Sequence, residues 1–491
     1  MSQLLQLSPR TIAGIANFAV QYNYSSISFA MLLLAREFKG TPVWASSALA
    51  SSIFVGSMLG MLSLGFIGDL IGRQLALALT LSIATVSAVL SALASFGGEN
   101  EVYLWIAIWR FILGIGIGGI YPLSSAVAYE STADSSGDTD SQGTIHAATA
   151  LFWQVPGHVM VYVIALILLQ FNLSFGFQWR TLLLSGALPL VCIIPSCMAR
   201  YYDERDVQHA SFAESYGKVV IGERTSGLTS EHSTTGKHST SRADIGGTNS
   251  HAVVTTPEGF SIQKALNDLS KVVEDPRART HLFGVSLCWF LLDVYIYGVS
   301  IFSPKILFYI FRESTSLTDN CWQNIASQLV TLPVAGFSVL ALTCGDPRDL
   351  QIIGFLFVVA ALLIFAATWE QLRDHPWELF GLFCYLKGSM VLFVPATTFT
   401  LPNSLFRKEI RASCNGIAAS TGKLGAFAGS FLFPLVYELF GMVVLMISCA
   451  LVALIGACVT YLTLPRKDAV PANTGTKEEK QPLFPKDDEI I

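Results

Sequence analysis

Five side chains with chemical capability stand inside stretches of sequence that are otherwise apolar. Trp289, Asp293 and Tyr297 share one such stretch, while Gln154 and Lys423 stand in two others. An ionisable group inside the hydrocarbon of a membrane is costly unless it meets a partner or a ligand. Asp293 and Lys423 are therefore predicted to serve a function.

The spacing within the first stretch gives its three residues a common direction. Residues four apart lie on the same face of a helix, so Trp289, Asp293 and Tyr297 are predicted to face one way. A lysine offers an oxyanion a compact cationic donor, and amide and hydroxyl groups hydrogen-bond its remaining oxygens. The set predicts a site for a small anion. A second interpretation is that Asp293 and Lys423 form a structural ion pair between two helices.

Composition places these residues in a membrane. Of the 491 residues, 52% are hydrophobic and 13% are charged, and apolar runs of about 20 residues, the length that crosses a bilayer, recur along the chain. The sequence predicts an all-α membrane protein with twelve transmembrane helices in two sets of six. The predicted spans are residues 12–34, 43–65, 75–96, 102–129, 144–171, 179–199, 280–304, 321–343, 350–369, 377–402, 412–439 and 441–464.

Four segments follow from this pattern. Residues 1–200 are predicted to form one six-helix bundle and residues 280–464 another, joined by a linker at 201–279 and followed by a tail at 465–491. The middle of the linker, 223–259, is rich in Ser, Thr, Gly and His and has no aromatic residue. Such a segment buries too little apolar surface to fold alone, which predicts a disordered linker.

Basic residues predict the orientation of the spans, because cytoplasmic loops carry an excess of Lys and Arg. Both termini and the linker are predicted to lie on the same, cytoplasmic side of the membrane. The protein is expected to be a multi-pass protein of the plasma membrane. An acidic loop at 134–140 lies on the same side, and the sequon Asn172–Ser174 lies in an outer loop. The basic residues on the linker side are Arg73, Arg200, Arg205, Arg277, Arg279, Arg348, Arg407, Lys408, Arg411, Arg466 and Lys467.

Several functional classes find no support in the sequence. The nine cysteines form no metal-binding or C-x-x-C spacing, so neither a metal nor disulfides are expected. The spans hold no Ser/His/Asp set placed for catalysis, so the chain is predicted not to be an enzyme and to need no cofactor. The lipid bilayer is an expected partner, and nucleic acid is not.

A glycine-rich motif lies between the second and third predicted spans. Gly65, Asp69, Gly72 and Arg73 fit the pattern G-x-x-x-D-x-x-G-R, and a degenerate copy follows at 345–348 in the second half. The motif resembles the signature of the major facilitator superfamily. The resemblance implies two pseudo-symmetric six-helix bundles, with these residues in a gating motif.

The fourth span contains G-x-G-x-x-G at Gly114, Gly116 and Gly119, a pattern that also occurs in nucleotide-binding proteins. No strand precedes it, so its glycines are predicted to pack helices.

The chain further resembles the phosphate:proton symporters of that superfamily. The likeness runs through Arg110–Ser124, Gln154, the W-x-x-x-D-x-x-x-Y of the seventh span, 350–355, 395–399 and 411–426. The resemblance implies a central anion site, with inorganic phosphate as substrate and protons as coupling ion. The residues it places in that site are Tyr121, Gln154, Trp289, Asp293, Tyr297 and Lys423.

The chain departs from this family pattern at its acids. Ile120 stands where the family has an Asp, and Val20 and Asn23 stand where it has two more. Ala396, Ser404 and Asn415 replace Asn, Glu and His. A symporter needs a group that titrates near ambient pH, so the departures predict weak or altered proton coupling, carried by Asp293 and His158.

Two further residues have two interpretations each. His158 is one helical turn from Gln154 and is either a titrating group or a structural histidine. Lys387, in the tenth span, either adds a second cation to the site or extends to the outer surface.

The sequence thus predicts a secondary transporter of a small anion, most simply inorganic phosphate, that works by alternating access. The alternatives are a transporter of an organic anion or a sugar-like solute, and a nutrient sensor that binds its ligand without moving it.

Overall fold

The protein is helical throughout the residues described by the computed structural model. These residues are 7–38, 41–94, 97–130, 139–171, 173–206, 270, 272, 274–312, 316–406 and 408–466. Four features predicted from the sequence lie outside them: the linker segment 223–259, most of the acidic loop 134–140, the sequon residue Asn172 and the tail from 467 onward.

Within these described residues, twelve helices cross the molecule, as the sequence predicts. Ten helical stretches are long and apolar enough to span a membrane, and one of them, Ser413–Thr463, contains a break at Gly441 that divides it into two spans. The remaining span is the first helix, 29 residues long. In chain order they are α1 (Pro9–Glu37), α2 (Val43–Ile71), α3 (Arg73–Leu93), α4 (Glu99–Glu130), α5 (Thr139–Phe152 and Gln154–Gln170), α6 (Phe175–Asp206), α7 (Pro276–Ile301, continued by Ser303–Ile310), α8 (Leu317–Leu329 and Thr331–Ala341), α9 (Pro347–Thr368), α10 (Pro376–Val391 and Val394–Leu405), α11 (408–440) and α12 (442–463).

Local sequence sets several helix ends. Ser8 caps α1 by accepting from the Thr11 backbone N–H, and Asp346 caps α9 by accepting from the Arg348 N–H. Such side-chain caps satisfy backbone donors that the first turn leaves free. Gly72 separates α2 from α3 with φ 90°, and Gly441 separates α11 from α12 with φ 79°. Both lie in the left-handed region that glycine enters without steric cost.

Glycines let helices pack closely in each half of the described structure. A Cβ on Gly114 or Gly118 of α4 would lie 2.1 or 2.3 Å from a carbonyl oxygen of α2. A Cβ on Gly425 or Gly429 of α11 would lie 2.1 Å from a carbonyl oxygen of α7. Small residues let helix backbones approach in this way. The prediction that the glycines of the fourth span pack helices is confirmed.

The helix ends next to the termini and to the predicted linker are held by arginines. Arg200, near the end of α6, donates to the Leu7 carbonyl at 2.6 Å, and Arg348, at the start of α9, donates to the Tyr461 carbonyl at 2.7 Å. Arg466 pairs with Asp349 at 3.4 Å. The start of α1 therefore meets the end of α6, and the start of α9 meets the end of α12.

Candidate functional site

A cavity of about 140 Å³ lies between the two halves. Its wall comes from α1, α4 and α5 of the first half and α7, α8, α10 and α11 of the second. All six residues that the sequence places in the anion site line it, as do His158 and Lys387. Their role in binding stays a prediction, but the structure brings them together around one space.

An ion pair occupies the centre of this wall. Lys423 Nζ lies 2.9 Å from Asp293 Oδ2 and donates a second hydrogen bond, also 2.9 Å, to the Tyr297 hydroxyl. Both charged residues are buried, with 1% and 4% of their surfaces exposed. The four-residue spacing of Asp293 and Tyr297 on α7 thus places two acceptors around one ammonium group. The ion pair considered from the sequence is present, and it faces the cavity.

Three aromatic rings surround the same ammonium group. The centroids of the Tyr297, Tyr121 and Tyr24 rings lie 4.4, 5.0 and 5.1 Å from Lys423 Nζ. A cation near ring faces at these distances is attracted by the ring quadrupole. The rings come from α1, α4 and α7, so the lysine of α11 is held by both halves of the molecule.

Gln154 links two other helices of the first half. Its amide nitrogen donates to the Tyr121 hydroxyl at 2.9 Å and to Asn17 Oδ1 at 3.0 Å. Asn17 in turn donates to the Ala13 carbonyl at 2.9 Å. The chain of hydrogen bonds orients Gln154 and Tyr121 toward the cavity from α5 and α4.

Trp289 forms part of the apolar wall. Its ring packs against α11 at Gly422, where an added Cβ would lie 2.3 Å from Cδ1 of the indole. The indole also meets the Phe399 ring edge to face, with centroids 6.2 Å apart. A residue larger than glycine at position 422 would force the indole, or one of the two helices, to shift.

A second set of polar groups lines the same cavity. Lys387 Nζ donates to Ser300 Oγ at 3.1 Å, and Gln328 Nε2 lies 3.3 Å from His158 Nε2. His158 also stacks on Tyr162, with centroids 5.8 Å apart. Lys387 is 3% exposed. Its extension to the outer surface, one of the two interpretations of this lysine, is therefore wrong.

Three of the helices around the cavity are interrupted beside it. α5 breaks at Trp153, α8 at Val330 and α10 at Leu392–Phe393. Phe393 has φ 60°, a strained value for a residue with a side chain. Its N–H donates to Ser338 Oγ of α8 at 3.0 Å, which holds the unwound turn in place. Interrupted helices at the midplane are typical of transporter binding sites.

The gating motif is visible only in part. Gly72 provides the positive-φ turn between α2 and α3, and Arg73 begins α3. Gly65 and Asp69 lie on α2, but their side chains are outside the described part of the chain. The gating role of this motif stays a prediction.

The positions where the chain departs from the family pattern carry no acid in the interior. Ile120 and Val20 are fully buried among apolar residues. Asn23 donates to the carbonyls of Ala19 and Gly186 at 2.9 and 3.0 Å, and Arg110 donates to the Asn23 carbonyl at 2.9 Å. Amide and backbone groups thus stand where a carboxylate was expected.

Known proteins share the fold of this chain. Residues 11–200 match the family model described as sugar (and other) transporter. The chain also superposes on the xylose transporter XylE from E. coli in a partially occluded inward-open conformation, with a TM-score of 0.67, 16% identity and coverage of 94% of this chain and 98% of that one. The chain has the major facilitator fold. The fold that the resemblance of its glycine-rich motif implied is confirmed.

A second XylE structure, that of the proton:xylose symporter bound to 6-bromo-6-deoxy-D-glucose, gives the same TM-score of 0.67. It is 18% identical, and the match covers 95% of this chain and 97% of that one. At these identities the likeness concerns the major facilitator fold alone.

The sequence relatives of this chain are named for phosphate rather than for xylose. The chain is 28% identical to the inorganic phosphate transporter PT2 of Toxoplasma gondii (strain ATCC 50861 / VEG), over 93% of this chain and 71% of the relative. It is 24% identical to the low affinity inorganic phosphate transporter 4 of Medicago truncatula, over 88% of this chain and 83% of the relative.

Four residues of the site were not predicted from the sequence. Ser300 continues the face of α7 that carries Asp293 and Tyr297, so its spacing was a usable signal. Asn17 and Tyr24 are seven residues apart and share a face of α1. Gln328 of α8 had no partner visible in the sequence, because the His158 beside it is 170 residues away.

Proposed function

We propose that this protein is a secondary transporter that moves inorganic phosphate across the plasma membrane by alternating access, with both termini in the cytoplasm. The sequence relatives named as phosphate transporters support the substrate. The observation that carries the proposal is the cavity between the halves, in which Lys423, Tyr297, Tyr121 and Gln154 converge. Together they supply a cation, hydroxyls and an amide, which are the groups that bind a small oxyanion.

Alternating access is supported by the position of the cavity between the halves. Contacts between the halves lie next to Lys423. The Tyr24 and Tyr297 rings lie edge to face at 5.8 Å, and Ser420 donates to the Met58 carbonyl at 3.3 Å. Rocking of one bundle against the other around such contacts exposes a central site to each side in turn.

Proton coupling is proposed to be weak. Asp293 and His158 are the titratable groups that line the cavity besides its lysines and tyrosines. Asp293 is engaged by Lys423 at 2.9 Å, and His158 is engaged by Gln328. Because both groups have partners and Ile120, Val20 and Asn23 carry no acid, a proton has few places to bind during transport.

The lining of the cavity also helps to choose among the alternative functions. Its two buried lysines favour an anion over a neutral sugar, although the structural neighbours include proteins named for xylose. A sensor would bind phosphate in the same cavity without moving it.

Uptake of radiolabelled phosphate into cells that lack their own phosphate carriers tests the substrate. We expect uptake that unlabelled phosphate suppresses, that xylose leaves unchanged and that sulfate suppresses weakly. Equal suppression by xylose would contradict the proposal. The variant Lys305→Ala changes an exposed lysine on the continuation of α7. Its phosphate uptake should equal that of the unmodified protein.

A further inference from the structure

Asn17 is a buried residue that contacts the wall of the cavity without being part of it. Its surface is 1% exposed, and it is not one of the described residues that line the cavity. It bonds to a residue of that wall, because Gln154 donates to Asn17 Oδ1 at 3.0 Å. An effect of the Asn17 side chain on a bound anion therefore passes through Gln154.

The direction of the Asn17 amide is fixed by its neighbours. Its nitrogen donates to the Ala13 carbonyl at 2.9 Å and to Ser124 Oγ at 3.3 Å. Because a backbone carbonyl only accepts hydrogen bonds, the amide nitrogen must face Ala13 and the amide oxygen must face away from it. Asn17 Oδ1 is therefore an acceptor beside Gln154.

This acceptor fixes the direction of the Gln154 amide in turn. A nitrogen that faces Asn17 Oδ1 donates to it, whereas an oxygen in the same place would meet another oxygen. Gln154 Nε2 donates both to Asn17 Oδ1 and, at 2.9 Å, to the Tyr121 hydroxyl. An amide nitrogen carries two hydrogens, so both are used. The amide oxygen is the group that Gln154 has left to offer to the cavity that it lines.

Gln154 Oε1 is an acceptor without a donor. Among the described residues none donates a hydrogen bond to it, and it is not enclosed by protein. A ligand that covers this oxygen and brings a hydroxyl satisfies it. A ligand that has acceptors alone leaves it unpaired, which costs binding free energy.

Close packing of α1 on α5 keeps the two amides within reach of each other. A Cβ added to Gly157 would lie 2.3 Å from the Phe18 carbonyl oxygen, and one added to Gly14 would lie 2.9 Å from Cδ1 of the Trp153 indole. The hydrogen bond between the two amides lies between these contacts along both helices. The two helix backbones therefore hold the pair of amides in register.

We propose that Asn17 is a positioning residue that holds the Gln154 amide with its oxygen toward the substrate, and that this oxygen selects phosphate over sulfate. Both forms of phosphate that occur near neutral pH carry a hydroxyl that donates to Gln154 Oε1, whereas sulfate has acceptor oxygens and no donor. Lys423 remains the cation of the site. The inference rests on the proposed function, since it concerns how the same cavity recognises phosphate.

Binding of radiolabelled phosphate to the purified full-length protein tests the inference, with unlabelled phosphate and sulfate as competitors. The measurement is made at mildly alkaline pH, where phosphate is chiefly a dianion and matches sulfate in charge. We expect the unmodified protein to prefer phosphate. In Asn17→Leu the Gln154 amide loses its fixed direction and can turn its nitrogen to the anion. The preference for phosphate over sulfate should therefore fall about tenfold.

Asn23→Leu is the matched control. Asn23 is also buried on α1 and also donates to backbone carbonyls, those of Ala19 and Gly186, but it does not bond to Gln154. We expect this variant to keep the preference of the unmodified protein, even where its stability is lower. A merely structural role of Asn17 would lower the affinity for both anions together and leave their ratio unchanged.

Thermal unfolding in detergent shows whether each variant is folded, and Asn17→Ala, which adds no bulk, replaces Asn17→Leu if the latter is not. An unchanged preference in a folded Asn17 variant would overturn the inference while leaving phosphate binding intact. Equal affinity of the unmodified protein for the two anions would also overturn it, and this result needs no variant. Absence of phosphate binding by the unmodified protein would instead overturn the proposed function, and the inference with it.

Discussion

Lys423 Nζ and Asp293 Oδ2 lie 2.9 Å apart although 130 residues separate them in the sequence. The contact joins α11 to α7, and both residues are almost completely buried. A buried ion pair contributes little net stability, but removal of one partner leaves the other charge uncompensated. The pair therefore holds the two helices in register only while both charges remain.

Single changes in this pair are expected to be more harmful than the double change. Lys423→Ala leaves Asp293 buried without its partner, which should lower the free energy of unfolding by about 3–5 kcal/mol and abolish phosphate binding. Asp293→Asn combined with Lys423→Gln removes both charges and should restore most of the stability. Chemical denaturation in detergent measures the difference.

Equal stability of the single and double variants would show that the two charges are not coupled. Lys305→Ala controls for loss of a lysine at an exposed position.

Close packing of α7 on α11 gives a second prediction. Gly425→Ala would place a Cβ 2.1 Å from the Phe290 carbonyl oxygen, so the helices must separate. We expect a fall of several degrees in the unfolding temperature and a loss of phosphate binding, because Trp289 and Asp293 move away from Lys423. Gly381→Ala is the control, since nothing lies within 4 Å of its added Cβ. A harmless Gly425→Ala would contradict the packing.

The linker gives a prediction from sequence alone. Replacing residues 223–259 with a flexible Gly/Ser connector of matched reach should preserve folding and phosphate flux, because a segment of this composition has no core to lose. Surface expression and uptake are measured side by side. Normal expression with lost flux would instead indicate a regulatory or sensing role for the segment.

Weak proton coupling can be tested at Ile120. We expect phosphate flux into vesicles to change little when a pH difference is imposed, because Asp293 and His158 are already engaged by partners. Ile120→Asp adds a titratable carboxylate on α4 and should strengthen the dependence on external pH. The isosteric control is Ile120→Asn. Steep accumulation by the unmodified protein, abolished by a protonophore, would show that the missing acids matter less than proposed.

The sequence predicted the fold and the main site residues for identifiable reasons. Apolar runs of the length of a bilayer mark helices directly, and the four-residue spacing of Trp289, Asp293 and Tyr297 fixes their common face. Both signals depend on residues that are close together along the chain, and these can be read directly from the sequence.

Partners across helices were not predictable in this way. Periodicity gives the direction of a side chain but not what it meets, so the sequence left open whether Asp293 and Lys423 pair and whether Lys387 turns outward. Tyr24 entered the site only because α1 packs against α7, which brings its ring beside Lys423. The unwound turn at Phe393 likewise depends on Ser338 of a different helix.

Phosphate flux in reconstituted vesicles tests the central claim most directly. Purified protein is placed in vesicles loaded with unlabelled phosphate, and entry of labelled phosphate by exchange is followed without any ion gradient. The account predicts rapid, saturable exchange that Lys423→Ala abolishes and Lys305→Ala leaves unchanged. Phosphate binding by the same preparation without exchange across the membrane would contradict it and would make the protein a sensor.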